Sequence, residues 1–425
     1  MNRKKEILVT AFALFSLFFG AGNLILPPQL GFKAGELWWV VALGFALSAV
    51  LIPILGILAH ARLQGSMFDF ANKVSPKFSL VYCFLVYAIS IGLPSPRTAS
   101  VTHEMAIAPL FNSSPLITSF IYFALVFVFV LNRSKILDVI GKLMTPAILL
   151  ILVAIIGAVL FAEPFLFGEI SIPNPLSHAI IEGYQTFDAI GAVVVGGVII
   201  ISINLKNSGN SYKYKKFLIT RAGWIAGTAL FLIYAGLILS GALMHGAFDE
   251  AISRTDLLRN MSFITLGNTG KIIFAILVAL ACFTTAVGIV TGTADFVKSR
   301  LSGSQNAYVI TALIGCILGV VMGQLNVEYI IAVALPALMF IYPITIVLIL
   351  LNVLPKKYIP REVFKSVVIA TLVFSIPDFI GSIGYSGMEE FNDWIPLSNV
   401  RMGWVLPALI TFIMTNGIYR LRTTN

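Results

Sequence analysis

Apolar residues fall along this chain in long, nearly uncharged runs that short polar segments separate. A transmembrane α-helix needs about 20 consecutive apolar residues, so each run is a candidate span. The pattern predicts an all-α integral membrane protein with twelve transmembrane helices, at residues 7–32, 37–59, 78–106, 115–132, 139–162, 178–203, 217–244, 271–297, 306–323, 328–352, 364–384 and 403–420.

Composition favours a single transmembrane domain over residues 1–425. Of these residues 58% are apolar and 11% are charged, whereas soluble domains carry about 25% charged residues. No polar stretch is long enough to form a soluble domain. We attribute the net charge of +9 to topology and to contact with an anionic lipid bilayer, and we expect no nucleic-acid partner.

The basic residues predict the orientation of the chain. If alternate loops face the same side, 22 of the 28 Lys and Arg residues lie on one side and five on the other, while Arg97 falls within a span. Loops rich in Lys and Arg face the cytoplasm. With twelve spans, both termini are therefore expected in the cytoplasm.

Glycines interrupt the first span. Residues 7–19 are apolar apart from two hydroxyls, and Gly20, Gly22 and Asn23 follow. Each glycine weakens a helix by about 1 kcal/mol relative to alanine. A helix broken at membrane depth exposes N–H groups on one side and carbonyls on the other, which can hold an anionic group and a cation. The alternative is a flexible or closely packed helix, because glycine is common in transmembrane helices.

The sixth span carries a similar signal. Asp188 lies in mid-span and Gly191 follows it; a carboxylate at this depth is costly unless it is paired or hydrated. With suspected breaks near Gly22 and Gly191, in spans one and six, each unit has five spans and the second enters the membrane inverted. Such paired breaks are typical of secondary transporters whose site lies at the midplane.

The third span contains Pro94, Pro96 and Arg97, and Glu104 follows two turns later. The prolines kink the helix, and an arginine within the membrane needs a partner. The simpler interpretation is an internal Arg97–Glu104 brace that lines a cavity. In the other interpretation, Arg97 contacts substrate or gates a path to the site.

The eighth span offers a cluster of oxygens. Thr284 and Thr285 are adjacent, and the Ala281 carbonyl lies one turn earlier. Hard cations prefer oxygen ligands of this kind. A threonine in a membrane helix more often donates to a carbonyl of its own preceding turn, so the residues alone leave both interpretations open.

Four motifs together resemble the branched-chain amino acid:cation symporters, a bacterial family of the amino acid–polyamine–organocation superfamily. They occur in order along essentially the whole chain: Phe19-Gly20-Ala21-Gly22-Asn23-Leu24-Ile25 with Pro27-Pro28, Pro96-Arg97-Thr98, Gly183-Tyr184-Gln185-Thr186-Phe187-Asp188, and Cys282-Phe283-Thr284-Thr285. The family usually has Met at the position of Phe187. The resemblance implies a leucine-transporter-like fold, a 5+5 inverted repeat with broken helices 1 and 6. Repeat one would cover about 7–162, repeat two about 178–352, and helices 11 and 12 about 364–420.

The resemblance also implies the site residues. Free N–H groups at the first break would bind the substrate carboxylate, and carbonyls at the second would bind its ammonium. The expected substrate-binding residues are Ala21, Gly22, Asn23, Thr186, Phe187, Asp188, Ala189 and Gly191. A sodium ion between helices 1 and 8 is expected at Ser16, Phe19, Ala281, Thr284 and Thr285. No other cofactor is expected. A proton is the alternative coupling ion, and Asp188 would hold the ammonium or carry that proton.

The implied function is import of L-leucine, L-isoleucine and L-valine, coupled to Na⁺ or H⁺, across the bacterial plasma membrane by alternating access. An enzyme is not expected, because the chain has no H-E-x-x-H, no G-x-S-x-G and no paired Asp-rich motif. A channel is disfavoured because the charged residues form no repeated ring. The open alternatives are a transporter-like amino acid sensor and a carrier of other neutral amino acids.

Overall fold

The computed structural model of the chain describes residues 3–132, 135–161, 167–206, 211–385 and 394–424, and these residues are overwhelmingly helical, with no β-strand among them. The helices are α1 (Arg3–Phe18), α2 (Ala21–Ala34), α3 (Trp38–Ala46), α4 (Ile52–Leu63), α5 (Met67–Ala71), α6 (Pro76–Gly92), α7 (Pro94–Thr102), α8 (Pro115–Leu131), α9 (Ile136–Val139), α10 (Thr145–Phe161), α11 (Pro175–Tyr184), α12 (Asp188–Lys206), α13 (Tyr212–Leu243), α14 (Arg254–Arg300), α15 (Gln305–Met322), α16 (Val327–Val353), α17 (Arg361–Ser382) and α18 (Val405–Thr424).

Nine helical stretches of the described residues are long and apolar enough to cross a bilayer. They are Ala21–Leu63, Pro76–Ile107, Ile140–Phe161, Pro175–Asn204, Tyr212–Leu243, Gly270–Arg300, Gln305–Met322, Val327–Val353 and Arg361–Ser382. The first of these joins half of the first predicted span to the whole second span, and α8 is apolar but shorter. Residue 162, at the end of the fifth predicted span, lies outside the described residues. The prediction of an all-α membrane fold is confirmed.

Large apolar side chains lie on the outside of the molecule. Phe84, Leu150 and Phe161 are 68%, 71% and 90% exposed. Soluble monomers rarely carry large continuous apolar surfaces, whereas helices that face lipid do so routinely. The exposed apolar side chains therefore face the hydrocarbon of a bilayer.

The interior is built around the two short helices α1 and α2. Both pack against α13, and α2 also packs against α14. Glycines allow the closest approach: a methyl group at Gly31 would overlap the Ile238 carbonyl oxygen, and one at Gly241 would overlap that of Pro28. Small residues let transmembrane helices approach closely. The close packing fixes α2 against α13, which brings Tyr234 of α13 to the interruption that precedes α2.

Candidate functional site

The first span is interrupted between α1 and α2, at Phe19 and Gly20. Gly20 is extended (φ −121°, ψ −158°), and its N–H donates to Asn23 Oδ1 at 3.2 Å. Ala21 and Gly22 begin the next helix, so their N–H groups have no acceptor within it. The predicted interruption is confirmed, and it falls slightly earlier than Gly22, which lies in the first turn of α2.

The second interruption lies at residues 185–187, between α11 and α12. Phe187 has a left-handed backbone with φ +63°, and its N–H donates to the Tyr184 carbonyl at 3.0 Å. The Thr186 hydroxyl donates to the Gly183 carbonyl at 2.7 Å and accepts from the Asp188 N–H at 3.2 Å. The predicted interruption of the sixth span is therefore confirmed, but it precedes Asp188, and its predicted place at Gly191 is wrong.

Gly191 lies inside α12, where its N–H donates to the Phe187 carbonyl at 2.7 Å. A methyl group at this position would make only ordinary contact, at 3.9 Å from the Phe18 ring. The glycine is therefore required neither for a break nor for space.

The two interruptions meet through buried side chains. Asn23 Nδ2 donates to Asp188 Oδ2 at 2.7 Å, and the Tyr234 hydroxyl donates to the same oxygen at 3.3 Å. Asn23 Nδ2 also donates to the Tyr234 hydroxyl. One residue further on, the Ala189 N–H donates to the Tyr342 hydroxyl at 3.0 Å. Asp188 is thus hydrogen-bonded to the first interrupted span, and these bonds offset the free-energy cost of a carboxylate at this depth.

The structure gives Arg97 and Glu104 different partners, so the predicted brace between them is wrong. Glu104 Oε1 accepts from the Val327 N–H at 2.9 Å, at the start of α16. The helix stays regular from Pro94 to Thr102, and a π turn follows at His103–Ile107, so the seven-residue spacing is kept but each side chain finds its partner on another element. The Arg97 guanidinium lies instead over the Phe187 ring, 5.1 Å from its centroid.

A small enclosed cavity of about 30 Å³ lies where these elements meet. That volume holds about two water molecules, so a larger ligand would fit only if the helices around the cavity moved. The polar part of its lining comes from residues at both interruptions and from α6, α7 and α14. The cavity is lined by Leu17, Phe18, Gly20, Ala21, Gly22, Asn23, Ser90, Pro94, Arg97, Thr98, Thr186, Phe187, Asp188, Ile190, Gly191, Val194, Val195, Thr285 and Ile289.

A second group of oxygens lies where α1 meets α14. The Thr284 hydroxyl donates to the Ser16 carbonyl at 2.8 Å and, within its own helix, to the Ala281 carbonyl at 3.0 Å; it accepts from the Ser16 hydroxyl at 3.0 Å. Thr285 Oγ1 is buried without a partner and points toward Gly20, where a methyl group would lie 2.5 Å from it. The structure therefore brings Ser16, Ala281 and Thr284 together, with Thr285 beside the first interruption.

Phe19, the remaining residue of the predicted cation set, is fully buried in the non-helical step itself. Its ring stacks on Phe15 and Tyr234, with centroids 5.3 and 5.9 Å away. These contacts hold the interrupted segment against α13.

A larger cavity of about 380 Å³, here called the vestibule, opens beside the N-terminal half of the sixth span. Arg254 and Glu182 both line it, and Arg254 donates to both carboxylate oxygens of Glu182, at 3.0 and 3.2 Å. Gln185 lines the vestibule and belongs to the second interruption. The vestibule therefore ends at a residue of the second interruption, and a largely buried ion pair lies in its wall.

Sequence reasoning missed Tyr234, Tyr342 and the Arg254–Glu182 pair. The two tyrosines are isolated polar groups in otherwise apolar spans, which is a weak signal because a tyrosine also packs as an apolar ring. The ion pair joins residues 72 positions apart, so no local pattern marks it.

An all-α membrane protein whose two interrupted helices face one buried cavity has the architecture of a secondary transporter. Solved transporters share the fold. They include a Na⁺-coupled sialic acid symporter (TM-score 0.59, 14% identity, 97% of this chain and 90% of that one). The nucleobase-cation-symport-1 family transporter MHP1 is similar (0.61, 14%, 98% and 92%), as is MhsT in complex with L-phenylalanine (0.52, 15%, 96% and 98%).

The particular family follows from sequence. The chain belongs to the branched-chain amino acid transport protein family, whose model matches residues 3–422. It is 33% identical over 422 residues to the branched-chain amino acid transport system 2 carrier protein of Pseudomonas aeruginosa, across 96% of this chain and 95% of that protein. It is 32% identical over 420 residues to the branched-chain amino acid permease BraB of Bacillus subtilis, across 96% and 94%. The predicted family is confirmed, and the protein is a transporter rather than an enzyme.

Proposed function

We propose that this protein is a secondary active symporter that imports L-leucine, L-isoleucine and L-valine with a coupling cation by alternating access. The observation that carries the proposal is the meeting of the two interrupted helices, through Asn23 and Asp188, at one enclosed cavity. Relatives are described as carriers and permeases of branched-chain amino acids, which supports this substrate class.

The membrane arrangement in this proposal has twelve spans and both termini in the cytoplasm of a bacterial cell. Repeat one covers about residues 7–162, repeat two is inverted and covers about 178–352, and two further helices follow at about 364–420. The distribution of basic residues supports this orientation. The interruption of spans one and six supports the five-plus-five division.

The substrate would lie between the two interruptions. Its carboxylate meets the N–H groups of Ala21 and Gly22, which begin α2 at the positive end of a helix dipole. Its ammonium meets Asp188 and carbonyls of residues 186, 187 and 189. These are fixed dipoles that replace the water a zwitterion loses when it enters the membrane.

The side chain of the substrate would face the apolar part of the cavity wall. Ile190, Val194, Val195 and Ile289 line that wall without polar atoms in their side chains. An apolar pocket discriminates by only about 1–3 kcal/mol per methylene. We therefore expect leucine, isoleucine and valine all to be carried.

The coupling ion would be Na⁺, held by oxygens of Ser16, Phe19, Ala281, Thr284 and Thr285. Hydroxyl and carbonyl oxygens are the ligands a hard cation prefers, and Ser16 lies near the C-terminal, negative end of α1. The short distances from Thr284 Oγ1 to the Ser16 and Ala281 carbonyls support a shared oxygen site. Coupling to H⁺ through Asp188 is the second candidate, since this carboxyl is buried at the junction of the interruptions.

Uptake into proteoliposomes tests the proposal. Purified protein is reconstituted, radiolabelled leucine is supplied outside, and inward Na⁺ and H⁺ gradients are imposed separately. We expect saturable accumulation above equilibrium with the Na⁺ gradient, and competition by isoleucine and valine. Accumulation with the H⁺ gradient alone would assign the coupling to protons.

Absence of accumulation under either gradient would contradict the symporter. If leucine still bound to the purified protein, the sensor alternative would replace it. Equal competition by alanine and phenylalanine would favour a carrier of other neutral amino acids.

A further inference from the structure

Arg97 is a buried cation whose guanidinium is not satisfied by protein. It lies in α7, is 2% exposed and lines the central cavity together with both interruptions. Its Nε and Nη1 atoms are buried and have no hydrogen-bond partner. An unpaired charge at this depth is costly, so the observation calls for a partner that the chain itself does not supply.

The vestibule provides a comparison for what a paired arginine looks like in this fold. Arg254 is largely buried as well, and two bonds tie it to the carboxylate of Glu182. Bidentate pairing of this kind is the preferred arrangement for a guanidinium and a carboxylate. Arg97 lacks such a carboxylate on its free nitrogens, although it shares a cavity with Asp188.

Asp188 is not bonded to Arg97: its Oδ2 accepts from Asn23 and Tyr234. The cavity therefore contains a guanidinium, Arg97, and a carboxylate, Asp188. Neither Nε nor Nη1 of Arg97 is hydrogen-bonded to that carboxylate. A free amino acid carries the complementary pair, a carboxylate and an ammonium. The arrangement fits a zwitterion better than it fits an uncharged or singly charged molecule.

The surrounding backbone keeps the guanidinium next to the first interruption. A methyl group at Gly22 would lie 2.7 Å from Arg97 Nη2 and 3.1 Å from the Gln185 carbonyl, so only glycine leaves this space free. Phe187 covers one face of the guanidinium. The cation is thus positioned beside Gly22, on the side of the cavity where α2 begins.

We propose that Arg97 is a substrate-binding residue that receives the α-carboxylate of the transported amino acid, together with the N–H groups of Ala21 and Gly22. The inference rests on the proposed function, because it assumes that an amino acid occupies the central cavity. This role adds a requirement to the proposed function: a ligand needs a free carboxylate. The corresponding alcohol or amide binds more weakly, because it leaves Arg97 buried and unpaired.

Binding measurements on the purified, full-length protein test this role. Dissociation constants for leucine and for leucinol, which lacks the carboxylate, are measured by calorimetry in NaCl buffer for wild type, R97Q and R97K. In R97Q we expect the Kd of leucine to rise by about 100-fold and that of leucinol by less than about threefold, since one charged hydrogen-bonding partner is removed. R97K keeps the charge and loses the planar fork, so an intermediate rise for leucine is expected.

R254Q is the matched control, because it removes a buried arginine outside the central cavity. Whatever its effect on overall affinity, the ratio of the leucine and leucinol constants is expected to stay at the wild-type value. Size-exclusion profiles and melting curves show whether each variant is folded. If R97Q does not fold, R97K together with wild type decides the question through the same ratio.

Two results would overturn the proposal. One is an R97Q protein that binds leucine as wild type does. The other is an Arg97 variant that weakens leucine and leucinol equally, which would assign Arg97 a structural role. Wild-type protein that binds neither ligand and shows no uptake would instead contradict the proposed function, so the two failures are distinguishable.

Discussion

The two interruptions expose backbone groups in the membrane interior by different means. The first occurs at a glycine with an extended backbone, and the side chain of Asn23, the third residue of the next helix, accepts its N–H. The second contains no glycine. Phe187 adopts φ +63°, a conformation that costs a non-glycine residue roughly 1–2 kcal/mol.

At the second interruption, hydrogen bonds from neighbouring side chains hold the strained backbone in place. The Thr186 hydroxyl bridges the end of α11 and the start of α12, and Tyr342 of α16 accepts the Ala189 N–H. Strained backbone persists where its surroundings over-determine it. The first interruption is therefore permitted by its own sequence, whereas the second is imposed by packing, and we expect them to respond differently to mutation.

The largest effect is expected where the two interruptions are joined. Asp188→Asn keeps the size of the side chain and an oxygen that can accept from Asn23, but it removes the negative charge from the cavity. We expect the rate of leucine uptake to fall by at least about 100-fold, because hydrogen bonds to buried charged groups contribute about 1.5–3 kcal/mol each.

Initial rates in proteoliposomes, measured across a range of pH, check this prediction. Asp249→Asn is the control, since that exposed carboxylate accepts a local N–H at 2.8 Å outside the cavity. If Asp188→Asn retained its maximal rate and shifted only the pH profile, Asp188 would be a proton carrier and not an ammonium partner.

The next largest effect is expected at Gly22, and the contrast is with Gly191; the sequence predicted a break near each of these two glycines. In Gly22→Ala the new methyl group displaces the Arg97 guanidinium, which would lie 2.7 Å from it. We expect the Kd of leucine to rise by about 10- to 100-fold, because a charged contact to the substrate is lost.

Gly191→Ala is the matched variant, and here the expectation is opposite. The position is helical and has room for a methyl group, so leucine binding is retained and the melting temperature does not fall, since alanine favours a helix by up to about 1 kcal/mol over glycine. Calorimetry and melting curves on both proteins give the answer. Equal damage from the two substitutions would mean that Gly191 has a role in the substrate-binding state that its place in α12 does not reveal.

The contrast explains how far the sequence could predict this molecule. The apolar runs locate the helices, and the Gly20–Gly22 pair locates the first interruption to within two residues. The second could not be placed in this way, because the positive φ of Phe187 accompanies tertiary contacts to residues such as Tyr342, 153 positions from Ala189.

The partners of the buried charged side chains could not be predicted from nearby residues in the sequence either. The seven-residue spacing places Arg97 and Glu104 on one side of a helix, but Glu104 accepts from the Val327 N–H and Arg97 lies over the Phe187 ring, both far away in sequence. By contrast, the oxygens of Ala281 and Thr284 were predictable as neighbours because they lie within one turn of one helix, and their approach to Ser16 was supplied by the family resemblance.

A smaller effect is expected at the oxygen site, which joins α1 just before the first interruption to α14. Replacing Thr284 and Thr285 with Val together preserves shape and removes both hydroxyls. We expect the Na⁺ concentration for half-maximal uptake to rise by about tenfold, which corresponds to about 1.4 kcal/mol of lost cation binding, with a near-normal rate at saturating Na⁺.

Thr293→Val is the control on the same helix, because the Thr293 hydroxyl donates at 2.9 Å to the Ile289 carbonyl of its own helix. Uptake is measured against Na⁺ concentration at constant ionic strength. An unchanged Na⁺ dependence in the double variant would remove these hydroxyls from the cation site while leaving the substrate site untouched.

The smallest effect concerns the phenylalanine at the second interruption. Phe187→Met keeps an apolar side chain of similar length but removes the ring 5.1 Å from the Arg97 guanidinium. A cation–π contact contributes about 0.5–1 kcal/mol, so we expect the Kd of leucine to rise by about two- to fivefold while the Kd of leucinol, which does not engage Arg97, stays unchanged. Because the backbone of residue 187 keeps its positive φ in either protein, the melting temperature is expected to change little. A large loss of stability instead would mean that the ring holds the interruption open by packing, and that its contact with Arg97 is incidental.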